Sequence, residues 1–240
     1  AHLKTLPEDI LLCIDVGEEM AEPWDARTTA HLATRLRAVK EALCCFVKQK
    51  LAFDRRHRFG VCLLSHTANI ILPFTSEDDI ILAVIDSLGV VHDNLVGGAT
   101  GQTGFNFDDL FPLLDEFVSV DEDCAPSRIL RVVILYGRSY TVPTLSINPI
   151  LLQRPHIYLD ALYVHKKSNQ EGVLCQETYD FFIEHFDVSD SLHGKTAYFF
   201  EVASSSPRLY QHMMMLLAHP VQRDDQDTFL DNLEYIEPTD

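Results

Sequence analysis

The stretch that most constrains the fold is Ile10-Leu-Leu-Cys-Ile14, an unbroken apolar run that halts at Asp15 and Gly17. A short run without polar alternation suits a strand covered on both faces, as in a parallel sheet with helices on either side. In open sheets of that kind, ligand chemistry collects beyond the carboxyl ends of the strands. Asp15, Glu18 and Glu19 fall at that place. Whether these acids hold a metal, act in catalysis or remain a solvated turn is the question the rest of the chain must answer.

The pattern continues in a regular order. Thr28 or Thr29 is placed to cap a helix running to about Lys50, with Leu36, Val39, Leu43, Phe46 and Val47 at three- and four-residue spacing. Phe59 to Ser65 and Asn69 to Phe74 read as strands joined by a turn so short that they must be antiparallel. Ser76 is expected to cap a helix whose first turn carries Glu77, Asp78 and Asp79. The Gly97 to Gly104 loop precedes a helix from about Asn106 to Val118. Arg128 to Tyr136 is the most hydrophobic strand, and a short helix is expected around Ile147 to Gln153. Strands at Ile157 to Val164 and Thr196 to Val202 alternate with helices at Val173 to Phe186 and Ser206 to Leu217, the last with Pro207 at its start. Met213, Met214 and Met215 sit in that final helix and are read mainly as core. Alternating strands and helices predict an α/β, three-layer, Rossmann-like domain. Its sheet is six-stranded and mostly parallel, with one antiparallel edge strand. The domain is expected to span 1–219, with an acidic partner-binding tail over 220–240.

Charge and cysteine usage narrow the function. The 240 residues carry a net charge of −17, seven of those charges lying after Arg223 with no basic residue among them. That balance argues against direct nucleic-acid binding, which needs a basic footprint. No apolar run approaches the roughly 20 residues that span a bilayer, and no signal peptide is evident, so no membrane association is expected. The chain begins at Ala1 rather than Met, and an upstream segment is expected. Cys13, Cys44, Cys45, Cys62, Cys124 and Cys175 include no Cys-x-x-Cys, which reads as reduced thiols of an intracellular protein. No Gly-x-Ser-x-Gly elbow occurs, and no Cys sits in a recognisable catalytic motif. His31, His66, His92, His165, His185 and His219 lack ligand spacing and read as ordinary polar or core side chains. The Gly97 to Gly104 loop lacks the Lys-Ser/Thr of a phosphate loop. No catalytic, metal or cofactor site is expected.

A first strand ending in Asp15, a long helix, a hairpin edge strand and a Gly/Thr loop before a helix resemble a von Willebrand factor A domain. That family's metal site uses Asp-x-Ser-x-Ser after the first strand, a later Thr, and an Asp after the fourth strand. Hydroxyl and carboxylate oxygens there form an octahedral cage for Mg²⁺. Asp15 matches the first position, but Gly17 and Glu19 stand in place of the serines. Thr103 or Thr100 is available for the Thr position, and Arg138 follows the fourth strand where a carboxylate belongs. The resemblance therefore implies a degenerate metal site built from Asp15, Gly17, Glu19, Thr103 and Arg138. A cation-dependent ligand-binding A domain with an atypical acidic site is the alternative.

A resemblance covering nearly the whole chain is carried by Ile14-Asp-Val-Gly-Glu-Glu-Met20, Arg131-Val-Val-Ile-Leu-Tyr136, Leu162-Tyr-Val-His165 and Leu216-Leu-Ala-His-Pro-Val-Gln-Arg223. These stretches resemble the von Willebrand A-like scaffold subunits of the BRISC and ARISC deubiquitinase complexes. The resemblance implies a non-catalytic adaptor that binds a BRE-type scaffold with ubiquitin-conjugating-enzyme-like folds. Through it, an Abraxas-type scaffold and a JAMM metalloprotease that cleaves lysine-63-linked ubiquitin chains would join. It further implies cytoplasmic and nuclear localisation, and roles in the DNA-damage response and cytokine-receptor deubiquitination. The paired-His motif of such a metalloprotease is absent from this sequence, so catalysis is expected from another chain.

The partner-binding residues are expected at the carboxyl end. Pro220, Val221, Gln222 and Arg223 follow a helix end, where an extended segment with free backbone groups is expected to offer Arg223 to a carboxylate or aromatic groove. Beyond it Phe229, Leu230, Leu233, Tyr235 and Ile236 stand among acids, more large apolar side chains than a solvated tail carries. On this reading, a cut after Ala218 leaves a folded domain.

Overall fold

A computed structural model describes residues 6–24, 34–92, 104–116, 126–166, 174–188, 196–228 and 230, and omits the Ser206 side chain. The strands are β1 (Glu8–Asp15), β2 (Arg58–Leu64), β3 (Ala68–Thr75), β4 (Ile129–Tyr136), β5 (Ile157–His165) and β6 (Phe199–Ala203). The helices are α1 (Arg35–Phe53), α2 (Asp78–Ser87), α3 (Phe111–Asp115), α4 (Cys175–Phe186) and α5 (Ser206–Met215). One six-stranded sheet has the order β3-β2-β1-β4-β5-β6. Every pairing is parallel except β2 with β3, the hairpin that the short turn demanded. The expected fold class is the observed one.

Successive side chains of a strand point to opposite faces, and here both faces are buried. Ile10, Leu12 and Ile14 of β1 join Val133, Leu135, Leu162 and Val164 beneath α1, α2 and α5. Leu11 and Cys13 join Val132, Ile134 and Tyr136 beneath α3 and α4 on the other face. That second face is lined by a group of aromatic rings around Phe107, which lies within 6.1 Å of Tyr136, Phe181, Phe182 and Phe186. On the first face, Met213 and Met215 are buried in the core, as their spacing predicted.

Local boundaries differ in places where side-chain chemistry overrode periodicity. α1 begins at Arg35 behind Thr34, whose hydroxyl accepts from the Arg37 N–H. The capping residues expected for it, Thr28 and Thr29, lie outside the described residues. α2 follows Glu77 rather than Ser76, and makes no side-chain cap. The helix expected from Asn106 is a 3₁₀ turn over Phe107–Asp109 followed by the short α3, divided where Pro112 enters the chain near the start of α3. The short helix expected near Ile147 is a 3₁₀ turn at Ile150–Gln153.

Candidate functional site

Two charged assemblies lie at opposite ends of the sheet. At the carboxyl ends of β1 and β4, where an A domain binds its cation, Asp15 is fully buried. One carboxylate oxygen accepts the Gly17 N–H at 3.0 Å, the other the Gly137 N–H at 3.0 Å. The Arg138 guanidinium lies 3.3 Å from Asp15 through both Nε and Nη2. It also donates to the Ser65 carbonyl and lies 5.6 Å and 6.0 Å from the ring centroids of Phe105 and Tyr136. A guanidinium is a permanent cation with planar, directed donors. Here it supplies the positive charge that the Asp15 carboxylate would otherwise seek from a metal.

The other positions do not fit a cation cage. Gly17 carries no hydroxyl, and a Cβ there would lie 3.2 Å from Asp15 Oδ1 and 3.3 Å from Arg138 Nε. Glu19 turns away, accepting the Ser139 N–H at 2.7 Å and lying 4.0 Å from Arg35. Burial pushes the Glu19 carboxyl upward in pKa, partly offset by that hydrogen bond. Glu18 is half exposed and reaches His92 at 3.8 Å. The three acids of the first loop thus take three separate partners, and no group of three metal-ligating side chains occurs among the described residues. Thr103 lies outside the described residues. Arg35 completes the closure by donating to the Gly137 carbonyl and pairing with Glu22 at 3.3 Å.

The opposite end of the sheet holds an assembly that periodicity did not reveal. Glu8, Arg131 and Asp160, on β1, β4 and β5, are all fully buried. Lys50 Nζ sits 2.5 Å from Glu8, Arg131 bridges Glu8 at 3.2 Å and Asp160 at 2.8 Å, and Arg223 reaches Asp160 at 3.1 Å. Charges therefore alternate along a line from α1 across the sheet to the carboxyl-terminal segment. Burial raises the Asp160 carboxyl, but Arg223 and Arg131 outweigh it and leave the pKa lowered. Glu8 shows the same balance, with Arg131 and Lys50 as its partners. Lys50 goes the other way: burial brings it down to about 8 despite Glu8. The signal was present in the sequence, because Arg131 and Asp160 interrupt strands buried on both faces. A charge in such a place needs a partner.

This network corrects the reading of the Pro220–Arg223 segment as extended and free. It is a turn in which the N–H groups of Gln222 and Arg223 both donate to the His219 carbonyl. Pro220 is buried, Val221 packs beside Leu6, Ile129 and Tyr158, and Gln222 is exposed. Arg223 does meet a carboxylate and an aromatic ring, but both are its own: Asp160, and Tyr198 at 3.9 Å. His219 fixes the turn by contacting the Leu6 carbonyl at 3.1 Å. Further on, the Gln226 amide pairs with both backbone groups of Phe199 on the edge strand β6, at 2.7 and 3.0 Å. Leu230 packs on the first core. The folded unit therefore continues past 219, and a cut after Ala218 would strip Asp160 of Arg223. Phe229, Leu233, Tyr235 and Ile236 lie outside the described residues.

His57 gives this end a pH dependence. Its Nδ1 accepts the Glu8 N–H at 2.9 Å, which requires the neutral ring. Burial, only partly countered by Glu8, lowers its pKa to about 4 from 6.5. The unfolded chain then binds the proton more tightly, so stability falls as pH drops from 6.5 towards 4. Chemical denaturation across that window should show a shallower loss for His57→Gln than for the natural chain. Identical slopes would remove His57 from the account.

No family model matches the chain. Among curated proteins it is 28% identical over 228 residues to BRISC and BRCA1-A complex member 1 of Xenopus laevis, covering 90% of this chain and 65% of that protein. The human protein of the same name is 26% identical over 230 residues, with the same coverage. The chain thus spans just under two thirds of the length of these relatives. Among solved structures, the SpRpn10 VWA domain aligns with a TM-score of 0.55 at 16% identity, covering 90% of this chain and 97% of that one. The PilB minor pilin from Streptococcus sanguinis gives 0.54 at 12% identity, covering 98% of this chain and 64% of that one. The chain has the von Willebrand factor A fold and is similar in sequence, along 90% of its length, to BRISC and BRCA1-A complex member 1.

Proposed function

We propose that this chain is a non-catalytic adaptor subunit of a deubiquitinase complex of the BRISC or BRCA1-A type. The observation that carries this reading is the similarity to a named complex member along 90% of the chain. The Asp15–Arg138 pair supports it, because a built-in guanidinium leaves the A domain no need of a cation for its own integrity. The chain would bind a BRE-type scaffold, and through it an Abraxas-type scaffold and a JAMM metalloprotease acting on lysine-63-linked ubiquitin. Cytoplasmic and nuclear work on DNA-damage signalling and cytokine receptors belongs to the same proposal.

The docking element is assigned to the segment after Leu230, since Arg223 is committed to Asp160, Gln226 to Phe199 and Leu230 to the first core. The acids beyond Leu230 and the apolar Leu233, Tyr235 and Ile236 suit a peptide that docks on a partner. The test is co-purification of the tagged chain with the BRE-type scaffold. The expected result is capture of scaffold and metalloprotease by the full chain. A chain ending at Leu230 should capture less while melting at the same temperature. No capture by the full chain would overturn the adaptor reading. Equal capture by the shortened chain would move the docking element to the folded surface.

A further inference from the structure

The two edges of the sheet are built differently. β3 forms one edge, and Pro73 within it has no N–H to offer a further strand. β6 forms the other. Just before β6 the Tyr198 carbonyl turns inward and accepts the Ala161 N–H at 2.9 Å. In a parallel ladder the N–H and C=O of one residue point to the same side, and those of its neighbours to the other. Phe200 and Val202 therefore face β5, while Phe199, Glu201 and Ala203 turn their backbone groups outward. Those of Phe199 are taken. The Gln226 side-chain amide accepts the Phe199 N–H at 2.7 Å and donates to its carbonyl at 3.0 Å. This is the pair of bonds that a residue on an antiparallel neighbouring strand would make. The Tyr179 hydroxyl donates to the same carbonyl at 3.0 Å. At Glu201 and Ala203 nothing among the described residues bonds the outward groups. A side chain thus occupies one peptide position beside β6, and the next two positions of the ladder stand open.

The surroundings of this edge decide what it accepts. Glu201 lies on the strand, Asp180 follows Tyr179 on α4, and Asp225 and Asp227 flank Gln226; all four are exposed. Glu201 has His165 at 3.5 Å, but Asp180, Asp225 and Asp227 form no ion pair among the described residues. Arg208, exposed on α5, is the counterweight and leaves the rim net acidic. A second copy of the chain pairing edge to edge would bring these acids against their own counterparts, which destabilises a cross-strand pair. A cationic strand gains from the same charges. We propose that the β6 edge, beyond the position held by Gln226, receives an extended segment of a partner protein rich in lysine or arginine, as a further strand of the sheet. Main-chain bonds at Glu201 and Ala203 supply the affinity, and the acidic rim selects basic side chains. This surface is distinct from the segment after Leu230, and the proposal does not rest on the adaptor reading.

The probe is a short peptide of alternating lysine and valine, acetylated and amidated at its ends. The full chain is titrated with it, and amide hydrogen exchange is followed residue by residue by NMR. Exchange at Glu201 and Ala203 is expected to slow on the order of tenfold at saturation. The Phe199 amide, already held by Gln226, should not change. The same peptide N-methylated at every amide keeps its charge but cannot complete the ladder, so the protection should vanish. A glutamate–valine peptide should bind on the order of tenfold more weakly. Ala203→Pro removes one outward N–H at the end of an edge strand, where proline is tolerated, and should abolish protection at Glu201 with little change in melting. The proposal is overturned if the lysine–valine peptide gives no protection, if the glutamate–valine peptide gives as much, or if protection survives N-methylation or Ala203→Pro. It is equally overturned by protection that grows with protein concentration alone, which assigns the edge to a second copy. Slow exchange without peptide that is lost in a chain ending at Leu230 would assign the edge to the chain's own segment and also overturn it.

Discussion

Arg131→Met should destabilise the domain by about 4 kcal/mol, the largest effect expected of any single substitution in this protein. The Arg131 side chain is fully buried between Glu8 and Asp160. Methionine replaces the apolar stem and removes only the charge. Glu8 then retains Lys50, and Asp160 retains Arg223 and the Tyr198 N–H. Two carboxylates sealed from water would each lose a partner, and water cannot replace it. Denaturant unfolding should register the full loss as a lower midpoint with little change in slope. Melting should fall by about 10 °C for a chain of this size. A loss below about 1 kcal/mol would place the network's contribution among ordinary surface pairs.

Arg138→Ala is expected to cost about 3 kcal/mol, because it leaves the buried Asp15 without its counter-charge. Asp15 keeps the N–H groups of Gly17 and Gly137, and one carboxylate rather than two loses its ion pair, which is why the loss is smaller than at Arg131. Millimolar Mg²⁺ should not restore the lost stability. Position 17 supplies no oxygen, and Glu19 is held by the Ser139 N–H. Melting curves with and without Mg²⁺ read this directly. Recovery of the natural melting temperature in Mg²⁺ would show that the remaining oxygens still form a cation site.

Much of the architecture was legible because strands buried on both faces announce themselves as apolar runs. Ile10 to Ile14 and Val132 to Tyr136 are such runs, and the turn between Leu64 and Ala68 is too short for anything but a hairpin. Gly17, Glu19 and Arg138 were visible as departures from a spaced motif, and the structure places Arg138 beside Asp15. What the sequence could not display was pairing at a distance. Glu8, Lys50, Arg131, Asp160 and Arg223 each stand alone in their segments, and only the sheet order brings them into line. The Arg223 side chain looked available because its nearest neighbours in sequence are acids and polar residues. Its true partner lies 63 residues earlier.

Arg138 stands where an A domain would hold a cation, and the proposed adaptor role requires none. Titration calorimetry of the natural chain with Mg²⁺ and Mn²⁺ addresses this most directly. The prediction is no saturable binding heat for either ion, and the same flat trace for Asp15→Asn. A saturable heat in the natural chain that Asp15→Asn abolishes would contradict the account and restore the cation-dependent reading.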